Sequence, residues 1–405
     1  MPWKEMCRMD QRASFISDWL SHKMTMTALC ELYGISRQTG HKLVRRHKQD
    51  RRVDEKSRRP KSHPKTTPKK LVKLIIAQRK QFPLWGPAKI RARLRHHWPQ
   101  HRWPAVSTIG AILKREGMIE PRRVRLKVTP RTRPFGRVRE PNDLWTVDFK
   151  GDFTMGNGRR CYPLTVTDSA SRYLLACVGL HAPTLASVRS VFVELFRRHG
   201  LPRAIRSDNG EPFASMSPAA GLTQLSAWWA QLGIRLERID PGKPQQNGRH
   251  ERLHLTLKKA TCSPPRRSLG WQQRAFDRFC AEYNELRPHQ ALAFKTPASL
   301  YRRSTRAYPE QLTRLHYPFA EVHCVQADGS IQLGRRRQFI SSSLVGEEVG
   351  LYQLDERYIE VLFADIVLGC IDLRNGNANP RYGLVRPRAY GKQPRPTRVS
   401  AMYPV

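Results

Sequence analysis

LWTVDFKGDF (144–153) and CYPLTVTDSASRYLLACVGL (161–180) decide the fold of this chain. Both are dense in β-branched and aromatic residues, and a turn at Asp168–Ser171 breaks the second run into two strands. The reading is a strand followed by an antiparallel hairpin that extends it. TLASVRSVFVELFRRHG (184–200) then changes period. Val188, Val191, Phe192, Leu195 and Phe196 fall on one helical face, and Gly200 ends the helix. LPRAIRSDNG (201–210) is a short strand running into a loop, LTQLSAWWAQLGI (222–234) a helix, IRLERID (234–240) a strand, and QNGRHERLHLTLKKA (246–260) a helix. Three antiparallel strands followed by helix, strand, helix, strand and helix predict a mixed α/β layer domain over 141–305.

Outward from that centre, the N-terminal side reads as two helical units. In residues 1–50, Phe15, Ile16, Trp19 and Leu20 form one apolar face. Ala28, Leu29 and Leu32 are expected to pack from a second, short helix. Gly34 permits a tight turn with Ile35 pointing inward, and Ser36 caps a cationic helix carrying Arg37, Gln38, Thr39, Lys42, Arg45 and Arg46. Helix, glycine turn and cationic helix make a helix-turn-helix pattern, and these six residues are its candidate DNA contacts. A basic linker (51–68) leads to a second helix-turn-helix-like unit at 69–120. There Pro87 opens one helix, Ser107 is the expected cap of another, and Gly117 stops it. A second basic linker covers 121–140. On the C-terminal side, short strands between ADGS, VGEE and LDER turns predict a small β-barrel at 315–375. Residues 376–405, rich in Pro, Arg and Gly, are expected to be a basic disordered tail.

The chain has 405 residues and a formal net charge of +40, which points to a polyanionic partner. The charge is concentrated: windows 41–70, 121–140 and 374–405 carry net +10, +7 and +7. Runs of this kind suit phosphate contacts. The eight cysteines form no CxxC pair and no zinc-type cluster with histidine, so buried free thiols are expected. His96, His97 and His101 read as surface or phosphate-facing residues. Charged residues at 4, 5, 8 and 10 interrupt any leader-like run, and no stretch is long and apolar enough to span a bilayer. The expectation from composition is a soluble cytoplasmic protein with a nucleic acid as partner and no membrane.

Three acids stand out against this basic background. Asp148 closes the first strand, Asp208 follows another strand in SDNGEPF (207–213), and Glu251 lies on the helix after PGKPQQNG (241–248). Neighbouring strands bring the two aspartates to one sheet edge, and a helix across that edge can deliver Glu251. Three hard oxygen ligands with open positions suit Mg²⁺ or Mn²⁺. Glu211 and Glu237 are alternative third acids, while Asp152 and Asp168 read as structural or turn residues.

With YNELRPHQAL (283–292) and TPASLY (296–301), these stretches resemble bacterial insertion-sequence transposases with a retroviral-integrase-like core of the DDE class. The resemblance covers about 141–301. It implies an RNase H-like fold with Asp148, Asp208 and Glu251 as catalytic metal ligands and two ions per active site. It also implies hydrolysis at the element ends, followed by attack of the freed 3′-OH on target DNA. The gap from Asp208 to Glu251 is longer than is usual in integrases, and ASMSPAAGLTQLS (214–226) reads as the insert. Two ions about 4 Å apart can clamp a scissile phosphate, so no covalent enzyme intermediate is needed. Lys258, two turns beyond Glu251, is a candidate phosphate contact. Asn247 is either a shaping residue or a helix cap, and Arg287, Pro288 and His289 form a packing corner or a DNA contact. The resemblance also implies a bacterial, nucleoid-associated protein with double-stranded DNA as partner, and pairing two DNA ends calls for a dimer or larger assembly. Two other readings are a transposase-derived DNA-binding regulator and an RNase H-like nuclease without strand transfer.

Overall fold

The computed structural model describes residues 8–50, 66–119, 138–214, 221–239, 248–374 and 384. The expected linkers fall mostly outside them, as do the Asn247 position, the first part of the insert and nearly all of the tail. The chain divides into two compact units, 1–68 and 69–405.

The first unit is helical: α1 (Arg8–Leu20), α2 (Met26–Leu32) and α3 (Arg37–Asp50). Gly34 adopts φ +61° between α2 and α3, and Ser36 Oγ accepts from the Thr39 N–H at 3.2 Å, so turn and cap stand as read. The inner face differs from expectation. Leu29 and Cys30 are buried with Phe15, Ile16 and Val44, whereas Ala28 is exposed and Leu32 is 63% exposed. α2 is only two turns long and packs on one edge, so the residue three positions after Leu29 turns outward. Leu20 is exposed too, at the frayed end of α1.

The second unit opens with α4 (Lys69–Gln81), α5 (Pro87–His97) and α6 (Val106–Arg115) around Ile75, Trp85, Ile90, Leu94, Ile109 and Leu113. Pro87 is the first residue of α5, and Gly117, at φ +68°, follows the end of α6. Ser107 does not cap α6. Ala105 takes that place without a side-chain bond, because the helix starts two residues earlier than a Ser107 cap would allow.

The central sheet contains β1 (Trp145–Phe149), β2 (Phe153–Thr154), β3 (Arg160–Asp168), β4 (Leu174–Leu180), β5 (Ala204–Ser207) and β6 (Arg235–Arg238). β3 pairs antiparallel with β4 and β1, and β1 pairs parallel with β5, which pairs parallel with β6. The result is a mixed sheet with helices. α7 (Leu185–His199) and α8 (Gln224–Gln231) supply Phe192, Phe196, Trp228 and Trp229 to the core on Trp145, Val147, Leu164 and Val166. α9 (Gly248–Leu257) and α10 (Leu269–Ala281) join a separate core of Leu253, Leu257, Phe276 and Phe279 with Cys161 and Cys177. The stretch read as a loop-like insert is helical from Gln224, where a reciprocal Thr223–Ser226 capping box starts α8.

β4 is a sheet edge, and two amide side chains cover it. Gln273 accepts from Gly179 N at 2.9 Å and donates to Cys177 O at 2.9 Å. Asn284 accepts from Leu174 N at 2.8 Å and donates to Leu174 O at 2.9 Å. Each amide replaces one rung of a missing strand, the physical reason for an asparagine inside YNELRPH.

The C-terminal β-module holds β7 (Glu321–Cys324), β8 (Ser330–Leu333), β9 (Arg336–Phe339), β10 (Glu348–Gln353), β11 (Tyr358–Phe363) and β12 (Ile366–Asp372). Four strands pair in the order β12-β11-β10-β7, and β8-β9 form a separate hairpin over a shared apolar core. Among the described residues the strand pairing does not close into a ring, so the module is two small sheets where a barrel was expected. Five described cysteines are buried, but Cys280 is half-buried and Cys324 exposed on the edge strand β7, against the expectation of burial throughout.

Candidate active site

β1 and β5 run side by side with Trp145 opposite Ile205 and Thr146 opposite Arg206. Two residues further along each chain are Asp148 and Asp208. Neighbouring parallel strands lie about 4.8 Å apart, so equal steps leave both carboxyl-bearing residues at one level of the sheet. The alternation of side chains places Thr146 and Asp148 on the face opposite Trp145 and Val147, which are buried under α7 and α8.

That face is lined with hydroxyls. Thr167 stands opposite Thr146, and Thr165 opposite Asp148. Thr165 Oγ1 donates to Asp148 O at 3.0 Å. α9 lies across it, with His250 Nε2 and His254 Nε2 each 2.8 Å from Thr165 Oγ1 and His250 Nδ1 3.1 Å from Thr146 Oγ1. Burial pushes His250 down to about 3 and His254 down to about 4, so both imidazoles are neutral at physiological pH. The sequence reading passed over these two histidines. Their spacing of four, flanking Glu251 on an amphipathic helix, was the available signal.

Asp208 is half-buried. Loss of solvent raises its pKa, and the Gly210 N–H, 3.3 Å from Oδ1, opposes that shift. A carboxylate kept ionised in such a place gains from a cation, so its chemistry fits a hard divalent metal. Asn209 secures the loop by donating to Ile239 O at 2.7 Å. Glu251 sits in the first turn of α9 with its side chain exposed. Among the described residues, no three His, Cys, Asp or Glu side chains are gathered closely enough to hold an ion together. The structure thus places Asp148 on β1 and Asp208 immediately after the adjacent strand β5, and leaves Glu251 on α9.

The other acids have other work. Glu237 pairs with Arg206 at 2.7 Å and Arg235 at 3.0 Å, and Asp152 pairs with Arg160 at 2.9 Å. Asp168 is fully buried and accepts from Asn142 N at 2.8 Å and Ser171 N at 2.7 Å, so it is a turn residue. Of the cations singled out, Lys258 is exposed where α9 passes into the π-helical turn Lys258–Cys262. Arg37, Gln38, Thr39, Lys42 and Arg45 are exposed on α3, Arg46 is half-buried, and the Thr39 hydroxyl is engaged with Ser36 at 2.9 Å.

Residues 138–244 and 232–297 each match the family described as Integrase core domain. These segments are similar to an integrase core. The same part of the chain is similar to proteins of bacterial insertion elements. It is 30% identical over 167 residues to the insertion element IS407 uncharacterized 31.7 kDa protein of Burkholderia multivorans, covering 39% of this chain and 54% of that protein. It is 31% identical over 159 residues to the insertion element IS476 uncharacterized 39.2 kDa protein of Xanthomonas euvesicatoria, covering 39% of this chain and 44% of that one. The chain thus spans about half the length of these curated relatives. Among solved structures, the magnesium-bound catalytic core domain of HTLV-2 integrase aligns with 17% identity and a TM-score of 0.32 over 41% of this chain and all of that one. No helix among the described residues is long and apolar enough to cross a membrane.

Proposed function

We propose that this chain is a DDE transposase, a divalent-metal-dependent polynucleotidyl transferase that cuts the ends of an insertion element and joins them to target DNA. The observation that carries the reading is the position of Asp148 on β1 and of Asp208 directly after the adjacent parallel strand β5, with α9 bearing Glu251 packed across Thr165 and Thr146 of the same sheet face. Asp148, Asp208 and Glu251 would hold Mg²⁺ or Mn²⁺, two ions per site. When bound, such ions activate the attacking oxygen and stabilise the leaving one.

The protein's own part is positioning. The Thr165–His250–His254 cluster fixes α9 over the sheet without adding charge beside the carboxylates. The exposed Glu251 side chain closes on the aspartates when metal and DNA arrive. Lys258 and Lys150, which both bear electrostatically on Cys262 beside α9, supply positive charge for phosphates on this face. Arg37, Gln38, Lys42 and Arg45 on α3 read the element end, with Thr39 setting the helix start and Arg46 supporting the backbone contacts. Two ends must be held together, so the working form on DNA is a dimer or larger. Work on DNA inside a bacterial cell places the protein in the cytoplasm at the nucleoid.

The test is incubation with labelled terminal-repeat DNA and Mg²⁺ or Mn²⁺. Joined products support the proposal. Nicks without joining indicate a nuclease, and bound but intact DNA indicates a regulator. Asp148→Asn, Asp208→Asn and Glu251→Gln should each abolish joining and leave DNA binding in place; full joining by any of them overturns the site assignment.

A further inference from the structure

A second cluster of charge lies where α5 meets the turn after α10. Trp85 Nε1 donates to Glu282 Oε1 at 3.0 Å and ties the 69–119 helices to the core. Glu282 is the acid here, and a neutral indole occupies it. Around it stand Lys89 from α5, Arg252 from α9, Arg287, and Arg172 from the β3–β4 turn; Lys89 feels Arg287, Arg252 and Glu282, and His289 feels Lys89, Arg287 and Arg172. Among the described residues, no carboxylate oxygen lies within 4.0 Å of Lys89, Arg252 or Arg287.

Solvent does not make up the difference at Arg287, while Lys89 is half-buried and Arg252 exposed at the rim. Arg287 is only 8% exposed and rests 5.8 Å from the Tyr283 ring centroid. His289 packs edge-on against the same ring at 4.8 Å, and its Nε2 is buried without a hydrogen-bond partner. Like charges gathered around a buried guanidinium repel, that guanidinium has lost hydration, and a bound anion repairs both costs. Planar guanidinium groups beside an ammonium and an imidazole donor suit a tetrahedral oxyanion.

We propose that the junction of α5 with residues 282–289 forms a phosphate-binding crevice, filled by a backbone phosphate of bound DNA on its way from the 69–119 helices to the candidate active site. This rests on the transposase reading for the source of the phosphate, but not for the chemistry of the crevice. Lys89 reports on it directly: burial lowers its ammonium to about 8, so it is a fast-reacting lysine at mildly alkaline pH, and a phosphate beside it restores the protonated form.

The experiment labels full-length protein with an amine-acylating reagent at pH 8 and reads Lys89 by peptide mass mapping. The probes are inorganic phosphate and a linear DNA duplex, with DNA binding followed by mobility shift in the same sample. The expected result is severalfold slower labelling of Lys89 when the duplex is bound. Protection by inorganic phosphate but not by bound duplex assigns the crevice to a free phosphate ion. Unchanged labelling with both probes, while the duplex is bound, overturns the site. Failure of the duplex to bind overturns the transposase reading and leaves the phosphate arm to decide the crevice alone. As a second readout, Lys89→Gln with Arg252→Gln should lower the slope of log affinity against log salt by about 1–2. An unchanged slope excludes DNA as the source.

Discussion

Thr165 and His250 meet hydroxyl to Nε2 at 2.8 Å, at the seam where α9 crosses β3. The Thr165 hydroxyl has one proton, and it goes to Asp148 O. Thr165 must therefore accept from both His250 and His254, which fixes a proton on each Nε2. His250 Nδ1 is then the acceptor for Thr146, whose hydroxyl lies 2.6 Å from that of Thr167. Burial keeps His250 neutral, and in that form every group in this chain has a partner. Thr165→Val strands two buried imidazole donors and should cost about 2–4 kcal/mol of unfolding free energy, while Thr165→Ser should cost far less. Denaturant unfolding of the three proteins checks it; a valine variant as stable as wild type would show that α9 is held by its apolar face alone.

Asp208 is expected to be a residue kept at some cost to the metal-free protein. Its ionised carboxylate is half-buried against one N–H donor, so Asp208→Asn should unfold at no lower denaturant concentration than wild type. Addition of Mg²⁺ should raise the thermal midpoint of wild type and leave that of the variant unmoved. Equal shifts in both proteins would place the ion elsewhere.

The sheet and the two aspartates were legible in the sequence because both signals are local. Strand period, helix period and the loop residues after a strand are written within a few positions, and Gly34, Ser36, Pro87, Gly117 and Gly200 punctuate as their backbone chemistry demands. What was not legible depends on long-range contacts. His250 and His254 reveal their role only beside Thr165, 85 and 89 positions away. The Asn284 clamp exists only because β4 is an edge. Leu32 obeys the apolar period of α2 and still faces solvent, since no element among the described residues covers that side of it. Periodicity tells which residues can be buried, and topology decides which are.

Gly40 shows the same limit on a smaller scale. It sits inside α3 with no unusual backbone angle, where glycine is a poor choice for a helix. A Cβ there would lie 2.5 Å from Cys30 Sγ, 3.2 Å from Phe15 Cζ and 3.3 Å from Met26 Sδ. The glycine is what lets α3 cross α1 and α2 closely. Gly40→Ala should therefore loosen the first unit by roughly 1–3 kcal/mol through overpacking, despite alanine's better helix propensity. Sequence-specific DNA binding should fall while the core keeps its own unfolding transition, because 1–68 is a separate compact unit. Mobility shifts and two-transition calorimetry read the two effects; an alanine variant with unchanged end binding would remove α3 from the reading of DNA.

His199 makes the acid limb of stability testable. It ends α7, is 7% exposed, and lies among Trp145, Tyr173 and Tyr301. Tyr301 donates to Asn142 Oδ1 at 3.2 Å, so its oxygen accepts from His199 Nδ1 at 3.2 Å. Burial, with Arg198 and Arg303 nearby, lowers its pKa from 6.5 to about 4. Between these values the unfolded chain takes up a proton that the native chain refuses, so stability rises with pH across that window. The contribution is complete above pH 6.5 and is lost as the pH falls towards 4, amounting in full to about 3 kcal/mol. His199→Gln keeps a polar side chain and removes the titration. Its unfolding free energy should decline less steeply than that of wild type from pH 6.5 to 4.5, the difference isolating His199 from His250, His254 and His289. Parallel curves would mean that His199 is already protonated in the folded protein.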